Sequence, residues 1–394
     1  MLISPNITND NTDIWTVNQK MFSVNQIWDP LKVCIIGRAY PPEFFSFIAD
    51  KKTRSIMERI AIETEEDFQK LKTILESFGV EVLRPNIGSR EEHMDGSKLQ
   101  PPPVMPRDYT AMIGERFFID RIPGVFNHYS DICDRITAEG NTTSFDTGIN
   151  SATTITLGKH LYTTGPISDP WDRDIWQVIK KPSWPDDIPE EHLYRLPAAI
   201  KYHPKVLEFR KTQINSYHDK VRKMFPEHHV KCYDLNAHID GCFCPIRPGL
   251  LISLRDIQDH ELTFPGWDVI YQDDSKLASR LEFNDLRAKN NGKWWLPDVE
   301  VDDNFIRFVD TYLDKWTGFV EESVFDVNIL MIDQDNAVCS NFNDITLEAM
   351  HRHGVNPIKV DFRHRYFWDG GIHCITSDIH RIGDKIDLGL PILP

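Results

Sequence analysis

The sequence contains no CxxC pair, no glycine-rich phosphate loop of the form GxxxxGK followed by Ser or Thr, and no basic excess. It also has no run approaching the ~18 uncharged apolar residues that a membrane span requires. Each absence excludes a class. Seven cysteines, Cys34, Cys133, Cys232, Cys242, Cys244, Cys339 and Cys374, make an odd count that does not read as a disulfide framework. A reducing, cytoplasmic location is expected, with at least one thiol available for chemistry. Lys plus Arg total 44 against 60 Asp plus Glu, a net charge of −16. That disfavours nucleic acid, whose binding rests on basic surface, and neither nucleic acid nor membrane is expected as a partner. An acidic chain suits a cationic small substrate, although net charge does not locate a site. The N-terminus, Met-Leu-Ile-Ser-Pro-Asn-Ile-Thr, lacks the basic and apolar regions of a secretory signal and the Arg of a transit peptide.

What is present is the balance of a globular protein, 41% hydrophobic and 26% charged, with ten Trp and 22 Phe to fill a large core. Residues 1–20 read as a flexible, polar N-terminal arm, and 21–394 as a single catalytic α/β domain. One pattern recurs along the chain. Apolar spacing at Phe68, Leu71, Ile74, Leu75 and Phe78 predicts a helix over 65–78. Gly79 stands where a helix-terminating glycine belongs, and 80–83 follow as a strand. A helix over 345–353, Gly354 and a strand over 358–361 repeat the arrangement. So do a helix over 204–225 with a strand over 230–233, and, more weakly, 266–270. Strands are also expected at 32–37, 117–120, 250–253 and 328–332. Repeated strand–helix–strand units suggest a pseudo-symmetric ring or propeller; a generic α/β sandwich is the alternative that periodicity alone leaves open.

Four segments can carry chemistry. In Asp369-Gly370-Gly371-Ile372-His373-Cys374, paired glycines permit unusual backbone angles and close approach of a ligand. A cysteine just after them can act as a nucleophile if a nearby cation favours its thiolate, or can be a buried structural residue. In Asn236-Ala237-His238-Ile239-Asp240, a strand reading puts His238 and Asp240 on one face, as an acid/base and a carboxylate for a cation. The alternatives are a core histidine, or a metal held by His238, Asp240, Cys242 and Cys244, for which the spacing is a poor match. Met105-Pro106-Arg107-Asp108 and Ser144-Phe145-Asp146-Thr147-Gly148 each place one acid on a loop, where turn or cap roles compete.

Together these motifs, with Ser23-Val24-Asn25-Gln26-Ile27-Trp28-Asp29-Pro30-Leu31 and Ile36-Gly37-Arg38 ahead of them, resemble the amidinotransferase family of the guanidine-modifying (pentein) superfamily, in the same order from about residue 23 to residue 383. The resemblance implies an α/β fold, a fivefold pseudo-symmetric propeller of ββαβ modules. It implies Cys374 as nucleophile, His238 as general acid/base, Asp146 as the acid that orients it, and Asp108 and Asp240 as the carboxylates that grip a guanidinium. The implied activity moves the amidino group of L-arginine to an amine through amidino-Cys374, releasing L-ornithine. A guanidine hydrolase of the arginine deiminase or dihydrolase type, using the same residues with water, is the alternative. No metal or organic cofactor is implied, and a homodimer is the family's habit. Three positions depart from the family or fit it loosely. Ala237 stands where glycine-using members carry Met, leaving room for a bulkier acceptor. Arg255 lies near, but not in register with, the position that holds the donor's carboxylate. Glu322 stands where small hydroxyl residues are expected. Ala237 and Glu322 point to an acceptor longer or more basic than glycine.

Overall fold

The computed structural model describes residues 21–95, 98–165, 204–233, 235, 238–254, 259–272, 303–313, 316, 327–340 and 344–393. Ala237, Arg255 and Glu322 lie outside these residues, as does the N-terminal arm.

β1 (Leu31–Ile36) leads through α1 (Lys51–Ser77) to β2 (Glu81–Leu83), which pairs parallel with β1. A small hairpin of β3 (Met94–Asp95) and β4 (Lys98–Leu99) follows. Then a unit repeats. β5 (Thr110–Ile113) and β6 (Arg116–Ile119) form an antiparallel hairpin, α2 (Ser130–Ala138) crosses, and β7 (Thr142–Phe145) pairs parallel with β6. β8 (Thr154–Leu157), β9 (His160–Thr164), α3 (Pro204–Met224) and β10 (His229–Tyr233) do the same. So do β11 (Phe243–Arg247), β12 (Leu250–Leu254), α4 (His260–Thr263) and β13 (Asp268–Gln272). After α5 (Asp303–Tyr312) comes the set β14 (Leu330–Met331), β15 (Asn336–Cys339), α6 (Asp344–Arg352) and β16 (Asn356–Lys359). Finally α7 (Arg365–Trp368) precedes β17 (Thr376–Arg381), which pairs antiparallel with β1.

The last pairing closes the ring. β17, β1, α1 and β2 are a fifth ββαβ module, split between the two ends of the chain. The described residues thus hold five three-stranded sheets of one design, a mixed α/β propeller. Its inner strands are buried on both faces, as Ile35 and Ile36 in β1 and Leu250, Leu251 and Ile252 in β12 illustrate, so these read as continuous apolar runs rather than alternating ones, while the outer β2, β7 and β16 are partly exposed.

The expected repeats are present with shifted ends. α1 starts 14 residues earlier than position 65. Its first half buries Ile56, Met57, Ile60, Ala61 and Thr64 at helical spacing, and Asp50 caps it by accepting from Thr53 N–H at 2.8 Å. Gly79 (φ +74°) and Gly354 (φ +75°) take the left-handed conformation that ends α1 and α6. The strand expected over 358–361 runs instead over Asn356–Lys359, and the one expected over 328–332 is only Leu330–Met331. The strand reading of 238–240 is corrected. Ile239–Gly241 is a 3₁₀ turn, so His238 and Asp240 do not alternate along a strand.

Candidate active site

The module repeat decides where the chemistry-bearing residues fall. Asp108 lies two residues before β5, Asp240 three before β11, Asn328 two before β14 and Cys374 two before β17. The remaining module offers Ala152 two residues before β8, and its carbonyl accepts from the N–H of Ile239 at 2.8 Å. Five equivalent positions, far apart in sequence, are brought to one centre.

Cys374 is 2% exposed and packs with Met105, Val104, Ile372 and Ile375. The glycines before it serve close packing. A Cβ on Gly371 would stand 2.5 Å from Asn328 Oδ1, and one on Gly370 would stand 2.7 Å from Met105 Cε. Neither glycine has a positive φ; that conformation falls on Asp369, at φ 54°. The expected approach is therefore by protein side chains at these two positions.

Around the sulfur, Asn328 Nδ2 donates to Cys374 Sγ at 3.1 Å, and the thiol donates toward Asp240 Oδ2 at 3.6 Å. The same Asp240 oxygen accepts from His373 Nδ1 at 2.9 Å. Burial opposes ionisation of Asp240, but the hydrogen bond from His373, and then electrostatic attraction to His373, His238 and Arg107, hold its carboxyl below the usual range. Burial and then the Arg107 charge push His373 down. We therefore read the pair as a carboxylate accepting from a neutral imidazole. His238 Nδ1 stands 3.8 Å from Asp108 Oδ1, beyond a direct hydrogen bond, with the two side chains 27% and 30% exposed and so within reach of a solute. Burial pushes the Asp108 carboxyl up to about 6, against the lowering effect of His238 and with a smaller upward push from Asp240. Asp108 Oδ1 and Asp240 Oδ1 are both buried with no hydrogen-bond donor among the described residues. Two buried, negatively charged acceptors, one of them on the carboxylate against the thiol, are what the N–H groups of a planar cation would satisfy.

Arg107, 3% exposed, ties this centre together. Its Nε donates to the carbonyls of His373 (2.7 Å) and Thr376 (2.9 Å), and its Nη2 donates to Asp378 Oδ1 at 2.9 Å. The turn that carries Asp108 is thereby bolted to the loop that carries Cys374.

Asp146 is not joined to His238. It ends β7 in left-handed backbone (φ 55°) with its side chain 48% exposed. That turn directs its carboxylate onto Arg121, just past β6, where the Arg121 main-chain N–H donates at 2.8 Å and the guanidinium takes the other oxygen. Asp146 and His238 border one cleft of about 670 Å³, together with Asn150, Tyr217 and Lys220. A larger groove of about 990 Å³ against α1 carries none of the candidate site residues. Cys242 and Cys244 sit in the apolar core, and no group of three or more His, Cys, Asp or Glu among the described residues is placed to hold a metal.

Three contributors were not assigned a role from sequence. In the sequence, His373 only adjoins Cys374, Arg107 only precedes Asp108, and Asn328 only opens the strand expected over 328–332. The usable signal was position: all three lie within three residues of the start of a module's first strand or of another site residue.

No family model matches the chain. Among curated proteins, the glycine amidinotransferase, mitochondrial, of Xenopus tropicalis is 27% identical over 150 residues, 37% of this chain. That of Danio rerio is 26% identical over the same length. The match spans 27% of the length of these relatives. Among solved structures, the inosamine-phosphate amidinotransferase of Streptomyces griseus aligns with a TM-score of 0.56 at 16% identity, covering 92% of this chain and 97% of that one. An amidinotransferase of Microseira wollei from the saxitoxin biosynthetic pathway gives 0.57 at 12% identity, covering 93% and 99%. The chain has the pentein fold that these two amidinotransferases share. In this pentein ring no helix among the described residues is long and apolar enough to cross a membrane.

Proposed function

We propose that the protein is an amidinotransferase that moves the amidino group of L-arginine to an amine acceptor through a covalent intermediate on Cys374, with release of L-ornithine. The observation that carries this reading is the buried thiol against Asp240, with Asp108 electrostatically linked to Asp240 and each carboxylate keeping a buried oxygen free of any described donor. These oxygens suit the N–H groups of a guanidinium, whose charge also favours the thiolate beside it.

The thiolate forms a bond to the guanidinium carbon and gives a neutral tetrahedral adduct. Protonated His238 gives its proton to the substituted nitrogen. The carbon–nitrogen bond then breaks, ornithine leaves as a neutral amine, and a cationic amidino-thioether remains on Cys374. The acceptor amine adds to that carbon and gives a proton to His238. The carbon–sulfur bond breaks and the thiolate returns. One hard displacement becomes two easier ones. Asp108, rather than Asp146, is the carboxylate that we assign to orienting His238. A longer or more basic acceptor than glycine rests on Ala237 and Glu322 in the sequence alone, and the cytoplasmic location on seven cysteines of which none is disulfide-bonded. Incubation with arginine and an amine panel that includes glycine, a diamine and an ω-amino acid, with products identified by mass, tests the whole reading. Ornithine plus a new guanidino compound supports it. Citrulline or ammonia with no guanidino product makes the protein a hydrolase instead.

Two further results are expected. His238→Ala should slow both half-reactions by ~10²–10⁴-fold, the range for losing a general acid/base, with little change in melting temperature. A rate loss that merely tracks lost stability would make His238 a core histidine. Arginine binding should also weaken in acid. The Asp108 carboxyl is raised to about 6, so it is ionised above that pH and neutral below it, and only the ionised form attracts a cation. In the Cys374→Ala protein, where no turnover intervenes, Kd for arginine should rise roughly tenfold per pH unit below about 6 by proton linkage. A Kd that stays flat down to pH ~5 would remove Asp108 from the binding site.

A further inference from the structure

We infer that Asn328 is a catalytic residue, the built-in donor that favours the charged form of the Cys374 sulfur. Asn328 is fully buried, two residues before β14. Its side-chain oxygen accepts from the main-chain N–H of His373 at 2.7 Å and of Cys374 at 3.2 Å. Two backbone donors on one oxygen fix which way the amide faces, because the NH₂ group has no lone pair to offer them. The NH₂ group is therefore turned onto the sulfur, at 3.1 Å, with Asp240 Oδ2 and the Asp240 carbonyl 3.5 and 3.4 Å away.

A second observation is independent of these bonds. Gly371 is where it is because of Asn328: a Cβ there would stand 2.5 Å from Asn328 Oδ1 and 2.9 Å from its Cβ. The second glycine of the Asp369-Gly370-Gly371 motif is the seat of this side chain.

The chemistry needs such a group. Cys374 lies in apolar surroundings, and Asp240 Oδ2 is 3.6 Å from the sulfur. Both oppose a thiolate. An N–H aimed at the sulfur favours the thiolate, and hydrogen bonds to charged groups are the stronger kind. The gain is net. For each pH unit by which the ionisation midpoint falls, thiolate rises ~tenfold while its nucleophilicity falls ~threefold, a Brønsted coefficient of about 0.4–0.5. The rate below the midpoint therefore rises ~threefold per unit. The same N–H receives the thiolate when the carbon–sulfur bond breaks. This role in turnover rests on the amidino-transfer reading, but its effect on the sulfur does not.

The test uses iodoacetamide alone, with alkylation of the Cys374 peptide followed by mass across a pH series. For Asn328→Ala the midpoint should rise by about 1–2 pH units. Alkylation should then be ~3–10-fold slower at neutral pH and faster than in the unmodified protein on the alkaline plateau. That reversal of sign is not produced by a merely structural defect. Asn328→Asp keeps the shape and an oxygen for both backbone N–H groups but turns an acidic oxygen onto the sulfur, so it keeps the test available if the Ala variant does not fold. Its midpoint should rise at least as far. An unchanged midpoint in either folded variant overturns the assignment. Because no guanidino donor is used, a shifted midpoint in a protein that makes no ornithine would sink the amidino-transfer reading alone.

Discussion

Cys374→Ala should lower product formation by ~10⁴–10⁶-fold, the scale on which removal of a covalent nucleophile acts. The native protein, given arginine and no acceptor, should gain one amidino group on the Cys374 peptide, while the variant gains none. The fold should survive. The side chain packs beside Met105, Ile372 and Ile375, and losing one sulfur there costs on the order of 1 kcal/mol. The buried thiols of Cys244 and Cys34 are poor substitutes. Burial pushes Cys244 up to about 12, with Asp240 adding to it, and burial and then Asp378 push Cys34 up to about 12 as well. Retained turnover in a folded Cys374→Ala protein would end the covalent mechanism. An amidino adduct on another cysteine would relocate it.

Arg107→Met should cost ~3–5 kcal/mol of stability, the range for removing one partner of a buried ion pair. The methionine stem can fill much of the space, but two carbonyls, of His373 and Thr376, lose their donor and Asp378 loses one of two guanidinium partners. Arg381 still bonds Asp378 at 2.8 Å, which places the expectation at the lower end of that range. Arg107→Lys should recover little, since one ammonium cannot reproduce the planar fork that reaches both carbonyls and the carboxylate. The check is a urea midpoint at constant slope, together with the activity of the folded fraction. Burial opposes ionisation of Asp378, yet Arg381 and Arg107 hold its carboxyl well below the usual range. Its contribution is thus present above the unfolded carboxylate range near pH ~4 and is lost as pH falls below it. The Arg107 variant should therefore show less of this acid loss than the native protein. A change under about 1 kcal/mol would mean that the two loops are held by something other than this arginine.

The stretches that read plainly from sequence share a property: their physics is local. α1 and α6 announce themselves by apolar spacing and a terminating glycine. Cys374, His238, Asp108 and Asp240 sit in short motifs whose residue types suit one cation. The ends of elements were less legible. The first half of α1 packs its apolar stripe against partners distant in sequence, and Asn356–Lys359 takes its register from Asn336–Cys339 across a parallel pair.

What depended on the whole chain was the pairing of charges. Asp146 and Asp108 look alike as single acids on loops. Left-handed backbone turns the first onto Arg121, while the second is brought to His238, 130 residues away, by the ring of modules. Asn328 and Gly371 show the same division. Motif and family resemblance suggested a nucleophile, an acid/base and a class of substrate. Which amide faces the sulfur, which carboxylate faces the imidazole and what seats Gly371 came from the ring of modules, which β17 closes by pairing with β1. That contact joins the two ends of the chain, so no window of sequence contains it.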